Sequence, residues 1–100
     1  MNKSIKKLIE YPKEGIISKK ILKEKNLDVG LFCMAKNTEI SKHTTTKKAG
    51  VYIVEGKGVF NLNGKNIKMS EGVFIYMDKN VIHSLKAKEN TSFILCLFGK

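Results

Sequence analysis

The sequence predicts an all-β domain, and three observations carry that prediction. After residue 15 the apolar residues fall in short runs rich in β-branched, leucine and aromatic side chains. Those runs are separated by Gly, Asn, Asp, Ser and Lys, and the breaks recur roughly every 8 to 12 residues, the rhythm of sandwiches and barrels. Asn63-Gly64, between Phe60-Asn61-Leu62 and Ile67, is a strong hairpin signal, because a type I′ turn needs positive φ at both central residues.

Taken in order, Ile5, Leu8 and Ile9 have helical spacing, so one short helix is expected before Pro12 interrupts it. The strand-like runs then follow: Ile16-Ile17, Ile21-Leu22, Val29 to Ala35, Val51 to Val54, Val59 to Leu62, Ile67 to Met69, Val73 to Met77, Val81 to Leu85 and Phe93 to Phe98. Glu55-Gly56-Lys57-Gly58, Ser70-Glu71-Gly72 and Asp78-Lys79-Asn80 supply further turns. The three threonines Thr44, Thr45 and Thr46 have the composition of an exposed strand. No internal repeat, low-complexity stretch or linker divides the chain. One domain over residues 1–100 is expected, with residues 1–28 as an N-terminal segment with early strands.

The formal charge of +10 invites a nucleic-acid reading, which the residue types weaken. Every basic residue is a lysine; arginine, the side chain suited to bidentate phosphate and guanine contacts, is missing. The lysines are also scattered, with nothing longer than pairs such as Lys6-Lys7, Lys19-Lys20 and Lys47-Lys48. Nucleic acid is therefore not the expected partner. No run is long enough to span a bilayer and the N-terminus has no hydrophobic signal core, so no membrane partner and a cytoplasmic location are expected. Cys33 and Cys96 lie in apolar runs without CxxC spacing and read as buried free thiols.

Two segments carry a family resemblance. His43 and Gly56 match the spacing of one motif, Gly, five residues, His, any, His, three or four residues, Glu, six residues, Gly; Asn37, Thr45 and Ala49 occupy its leading Gly, second His and Glu places. Gly72 and His83 match a second, Gly, five residues, Pro, any, Gly, two residues, His, three residues, Asn, in which Asp78, Asn80 and Ala87 hold the Pro, second Gly and Asn places. Asn shares glycine's left-handed conformation more readily than other residues, so Asn37 and Asn80 can preserve the backbone. From about residue 29 to residue 98 the chain resembles the cupin superfamily. The resemblance implies a double-stranded β-helix, or jelly-roll, barrel with His43 and His83 on neighbouring strands facing the interior.

In that family two His and a Glu from the first motif and a His from the second bind one divalent metal. Thr45 and Ala49 remove half of that set here, and the common three-His-one-Glu site cannot form. His43 and His83 can still hold a divalent transition metal (Zn, Ni, Fe, Mn or Cu) if water, substrate or another side chain completes the shell, and Cys33, Cys96, Tyr52 and Tyr76 are candidate third ligands. The other reading is an unmetallated histidine pair in a pocket bounded by His43, Thr45, Ala49, Tyr76 and His83, holding a small-molecule ligand. Phe32, Met34, Phe60, Met69, Phe74, Met77, Phe93 and Phe98 either line such a pocket or fill a core or interface. Two functions follow: small-molecule binding with a weakened or absent metal site, or a metal-dependent enzyme of the dioxygenase, isomerase or decarboxylase kind. The residues leave open whether the barrel is catalytic. The continuously apolar Phe93 to Phe98 run calls for cover on both faces, so a homodimer is expected, with strands near Ile16 to Leu22 contributing.

Overall fold

The computed structural model describes residues 1–99. A short helix α1 (Ile5–Leu8) precedes nine strands: β1 (Ile16–Glu24), β2 (Leu27–Met34), β3 (Glu39–His43), β4 (Lys48–Glu55), β5 (Lys57–Leu62), β6 (Lys65–Ser70), β7 (Phe74–Met77), β8 (His83–Ala87) and β9 (Thr91–Phe98). They form a five-stranded sheet in the order β1-β2-β9-β4-β7 and a four-stranded sheet in the order β3-β8-β5-β6. Every strand pairing is antiparallel, and chain neighbours such as β3 and β4 lie in opposite sheets, giving the expected jelly roll.

Alternation sorts the side chains. Along β4 and β9, Ala49, Val51, Ile53, Phe93, Leu95 and Leu97 face the other sheet, where Phe60, Met69, Leu85 and Ala87 meet them in the core. The outward residues of the five-stranded sheet are unusually apolar. Leu31 and Cys33 on that face are nonetheless buried, whereas Tyr52, Phe74 and Tyr76 remain exposed.

Asn63 and Gly64 both have positive φ, as the hairpin between β5 and β6 requires, and Asn37 and Asn80 adopt φ of 70° and 62°, the conformation expected of glycine's substitutes. Ile16-Ile17 and Ile21-Leu22 join into one strand, with a bulge between Lys20 and Leu22. One strand lies outside the expected runs, and one local expectation fails. β3 has no apolar run, because only Ile40 turns towards the core while its neighbours are exposed. Thr44, Thr45 and Thr46 lie in the loop after β3 rather than in a strand, and the Thr45 carbonyl accepts the Asn80 N–H at 2.7 Å, tying that loop to the one before β8.

The segment between α1 and β1 is fastened by Tyr11, whose hydroxyl donates to Glu55 Oε2 at 2.7 Å. Burial, with Glu55 adding to it, pushes this phenol up to about 12. An absorbance titration at 295 nm should therefore show Tyr11 ionising late, near pH 12. Because its folded-state pKa is raised, its contribution to stability is present below about pH 10 and fades as pH rises towards 12. Tyr11→Phe should remove both the late phase and that alkaline loss; a late phase that persists in the variant would refute the assignment.

Candidate functional site

The barrel register places the two histidines together. His43 ends β3 and is the direct cross-strand partner of His83, the first residue of β8. Their ring centroids are 4.0 Å apart with the planes tilted by 59°. His83 is buried and lies parallel to Phe60 at 5.8 Å, whereas His43 is exposed at the mouth.

Both rings are anchored in the same way. His43 Nδ1 sits 2.7 Å from the Ser41 carbonyl, and His83 Nδ1 sits 3.0 Å from the Val81 carbonyl. A carbonyl oxygen only accepts, so each neutral imidazole must carry its proton on Nδ1 and leave a lone pair on Nε2. Among the described residues neither Nε2 has a hydrogen-bond partner.

The rings border a cavity of about 270 Å³ between the sheets. The five-stranded sheet contributes Phe32, Val51, Met77, Phe93 and Leu95, and the four-stranded sheet contributes Ile40, His43, Phe60, His83 and Leu85. Phe32 and Phe93 stack at 5.3 Å. Apart from the imidazoles, every side chain in this wall is apolar.

The other sequence-predicted residues fall elsewhere. Ala49 faces inward but is packed in the core opposite Met77, and Thr45 lies in the loop over the mouth, its hydroxyl accepting the Lys47 N–H at 3.4 Å. Tyr76 points outward beside Phe98, because its neighbours Ile75 and Met77 take the inward positions. Tyr52 is likewise on the outer surface, between the inward Val51 and Ile53. Cys33 and Cys96 alternate with the inward residues Phe32, Met34, Leu95 and Leu97, so they occupy the face of the sheet away from the histidines. None of the four candidate third ligands reaches the pair. Cys33 is buried and Cys96 half-buried, and both are free. Burial raises the Cys96 thiol above its ordinary value.

Ile40, Val51, Leu85 and Leu95 are the pocket residues that the sequence does not single out. Leu85 was signalled only by its position two residues beyond His83 on the same strand face.

A family model for the cupin domain matches residues 30–98. The chain belongs to the cupin family. Solved structures agree on the fold: a conserved protein of unknown function from Streptococcus pyogenes is 20% identical, with a TM-score of 0.89, covering 100% of this chain and 88% of that one. A cupin superfamily protein from Desulfitobacterium hafniense is 16% identical, with a TM-score of 0.88, covering 94% and 86%. A cupin conserved-barrel protein from Leptotrichia buccalis is 23% identical, with a TM-score of 0.87; the match covers 94% of this chain and 46% of that one. Comparison with curated protein sequences gives no match.

The four-ligand metal of the cupin motif does not fit this chain. Thr45 and Ala49 replace a His and the Glu, and among the described residues no third His, Cys, Asp or Glu joins the two imidazoles. Nor is there a helix long and apolar enough to cross a membrane among those residues. The lysines are spread over both sheets, from Lys19, Lys20 and Lys23 on β1 to Lys68 on β6 and Lys86 on β8.

Burial, with the His43 charge adding to it, lowers the His83 pKa from the ordinary 6.5. The unfolded chain then binds the proton more readily than the folded one. Stability is fully retained above pH 6.5 and falls as pH drops from there towards the lowered folded value. Asp28, held low chiefly by the Lys20 hydrogen bond, acts only below 3.8 and leaves that window clear. Urea midpoints measured between pH 8 and pH 5 should decline for the wild type and stay flatter for His83→Gln; equal slopes would contradict the burial argument.

Proposed function

We propose that this cupin binds a small molecule in the barrel interior, against His43 and His83, without the family's full metal site. The observation that carries the reading is the cavity of about 270 Å³, with an apolar wall interrupted only by two imidazoles whose Nε2 atoms have no partner among the described residues. Such a space suits a ligand that fills it by apolar contact and is oriented by a few polar atoms. A library of small molecules screened by thermal shift tests it. A ligand at a hundredfold its Kd should raise Tm by roughly 10–20 °C in a domain of this size. The rise should vanish in Val51→Phe, which fills the cavity from β4. Hits whose effect survives that substitution would defeat the reading.

A second reading is a metal-dependent enzyme with a two-histidine centre completed by water or substrate. The Nδ1 anchors favour it, since they hold both imidazoles in the tautomer a metal requires. Metal content is measured by mass spectrometry on untagged protein purified without chelators. On the first reading it should be well below one transition-metal ion per chain. A stoichiometric metal, lost in both His43→Ala and His83→Ala, would reverse the preference.

The protein is further proposed to work as a cytoplasmic homodimer. Tyr52, Phe74 and Tyr76, which are 45%, 63% and 47% exposed, form an apolar outer surface on β4 and β7 suited to a second copy. β1, with Ile16 to Leu22, lies at the other edge of that sheet. Sedimentation should give twice the 11.3 kDa chain mass, reduced to one chain by Phe74→Glu.

A further inference from the structure

Resting on the small-molecule reading above, we infer that the ligand class is a neutral aromatic molecule of one or two fused rings bearing a hydroxyl or N–H donor. The polarity of the site selects the donor. Each Nδ1–H is committed to a backbone carbonyl, at Ser41 and Val81, so the two imidazoles offer the cavity acceptors and no donor. The rest of the wall is phenylalanine, isoleucine, valine, leucine and methionine, and adds no polar side chain. A ligand that brought only acceptors would face lone pairs with lone pairs. One with a donor satisfies an Nε2 that otherwise depends on water.

Charge is selected by the same wall. No lysine borders the cavity, despite the formal charge of +10 on the chain, so a carboxylate or phosphate would be desolvated there without a cation.

Size and shape complete the class. An apolar cavity of about 150 Å³ accommodates benzene, and this one, at about 270 Å³, has room for a second ring. Two near-parallel ring pairs, Phe60 with His83 at 3° and Phe32 with Phe93 at 6°, offer flat walls to a planar guest.

The test uses three probes with one ring system: 2-naphthol, naphthalene and 2-naphthoate. They are titrated into the chelator-treated full chain at pH 7.5, where the naphthol keeps its proton and the naphthoate is ionised. Affinity is read by calorimetry, and the imidazole nitrogens by ¹⁵N NMR. The expected result is naphthol binding about tenfold more tightly than naphthalene, one added hydrogen bond's worth, with naphthoate weakest. The Nε2 resonance of His83 should move with naphthol and stay in place with naphthalene. The double variant His43→Ala/His83→Ala should bind naphthalene and lose the naphthol advantage. Equal binding of naphthol and naphthalene, or tighter binding of naphthoate, overturns the donor rule while leaving the cavity reading intact. Binding of none of the three overturns both.

Discussion

Phe60→Ala should destabilise the protein by about 3–5 kcal/mol, a large part of the roughly 5–15 kcal/mol that holds a domain of this size together. Phe60 is 1% exposed and sits at the centre of β5. Its neighbours across the ladder are Ile67 on β6 and Leu85 on β8, and its ring supports the buried face of His83. Truncation removes the ring's burial and leaves a void that β-strands paired on both sides cannot close. Phe60→Leu keeps most of the volume and should cost under about 1.5 kcal/mol. Urea denaturation separates the two, and the His83 ring resonances report whether the imidazole stays fixed. If alanine and leucine have similar effects, Phe60 is not packed as described.

How much of this could be read from the residues depends on whether one face of a strand differed from the other. β8 is legible as part of a run because His83, Leu85 and Ala87 alternate with Ser84 and Lys86. β7 is legible as a strand but not in phase: Phe74, Ile75, Tyr76 and Met77 are all apolar, and only the fold turns Ile75 and Met77 inward. Sequence alone therefore puts Tyr76 in a pocket it does not enter, and the continuous run around Cys96 conceals its face in the same way. β3 fails for the opposite reason, since a strand at a sheet edge needs only Ile40 to hold it. The meeting of His43 with His83 comes from motif spacing. The apolar cavity around them requires residues from both sheets, and no local pattern records which strands face each other.

The glycines at two motif positions should respond very differently to the same substitution. Gly56 has φ of +111°, outside even the left-handed region open to asparagine, and a Cβ there would press on the Thr91 Cα and the Asn90 carbonyl oxygen. Those two are backbone atoms, and the nearest obstacle of all, the Thr91 hydroxyl, cannot retreat, because it is buried, accepts the Lys57 N–H at 3.1 Å and lies 2.8 Å from the Glu89 carbonyl. Backbone strain and overpacking each cost about 1–3 kcal/mol, so Gly56→Ala should lose about 3–5 kcal/mol. Gly72 has φ of +87°, but no atom lies within 4 Å of the place a methyl group would take, so Gly72→Ala should show the conformational cost alone, about 1–2 kcal/mol. Denaturation curves of the two variants measure the difference. Equal losses would mean that the close approach of β4 to the corner before β9 is not what fixes this motif glycine. A larger loss at Gly56 would mean that the turn between β4 and β5 persists for the packing of the barrel, although Thr45 and Ala49 have replaced two of the metal ligands in the same motif.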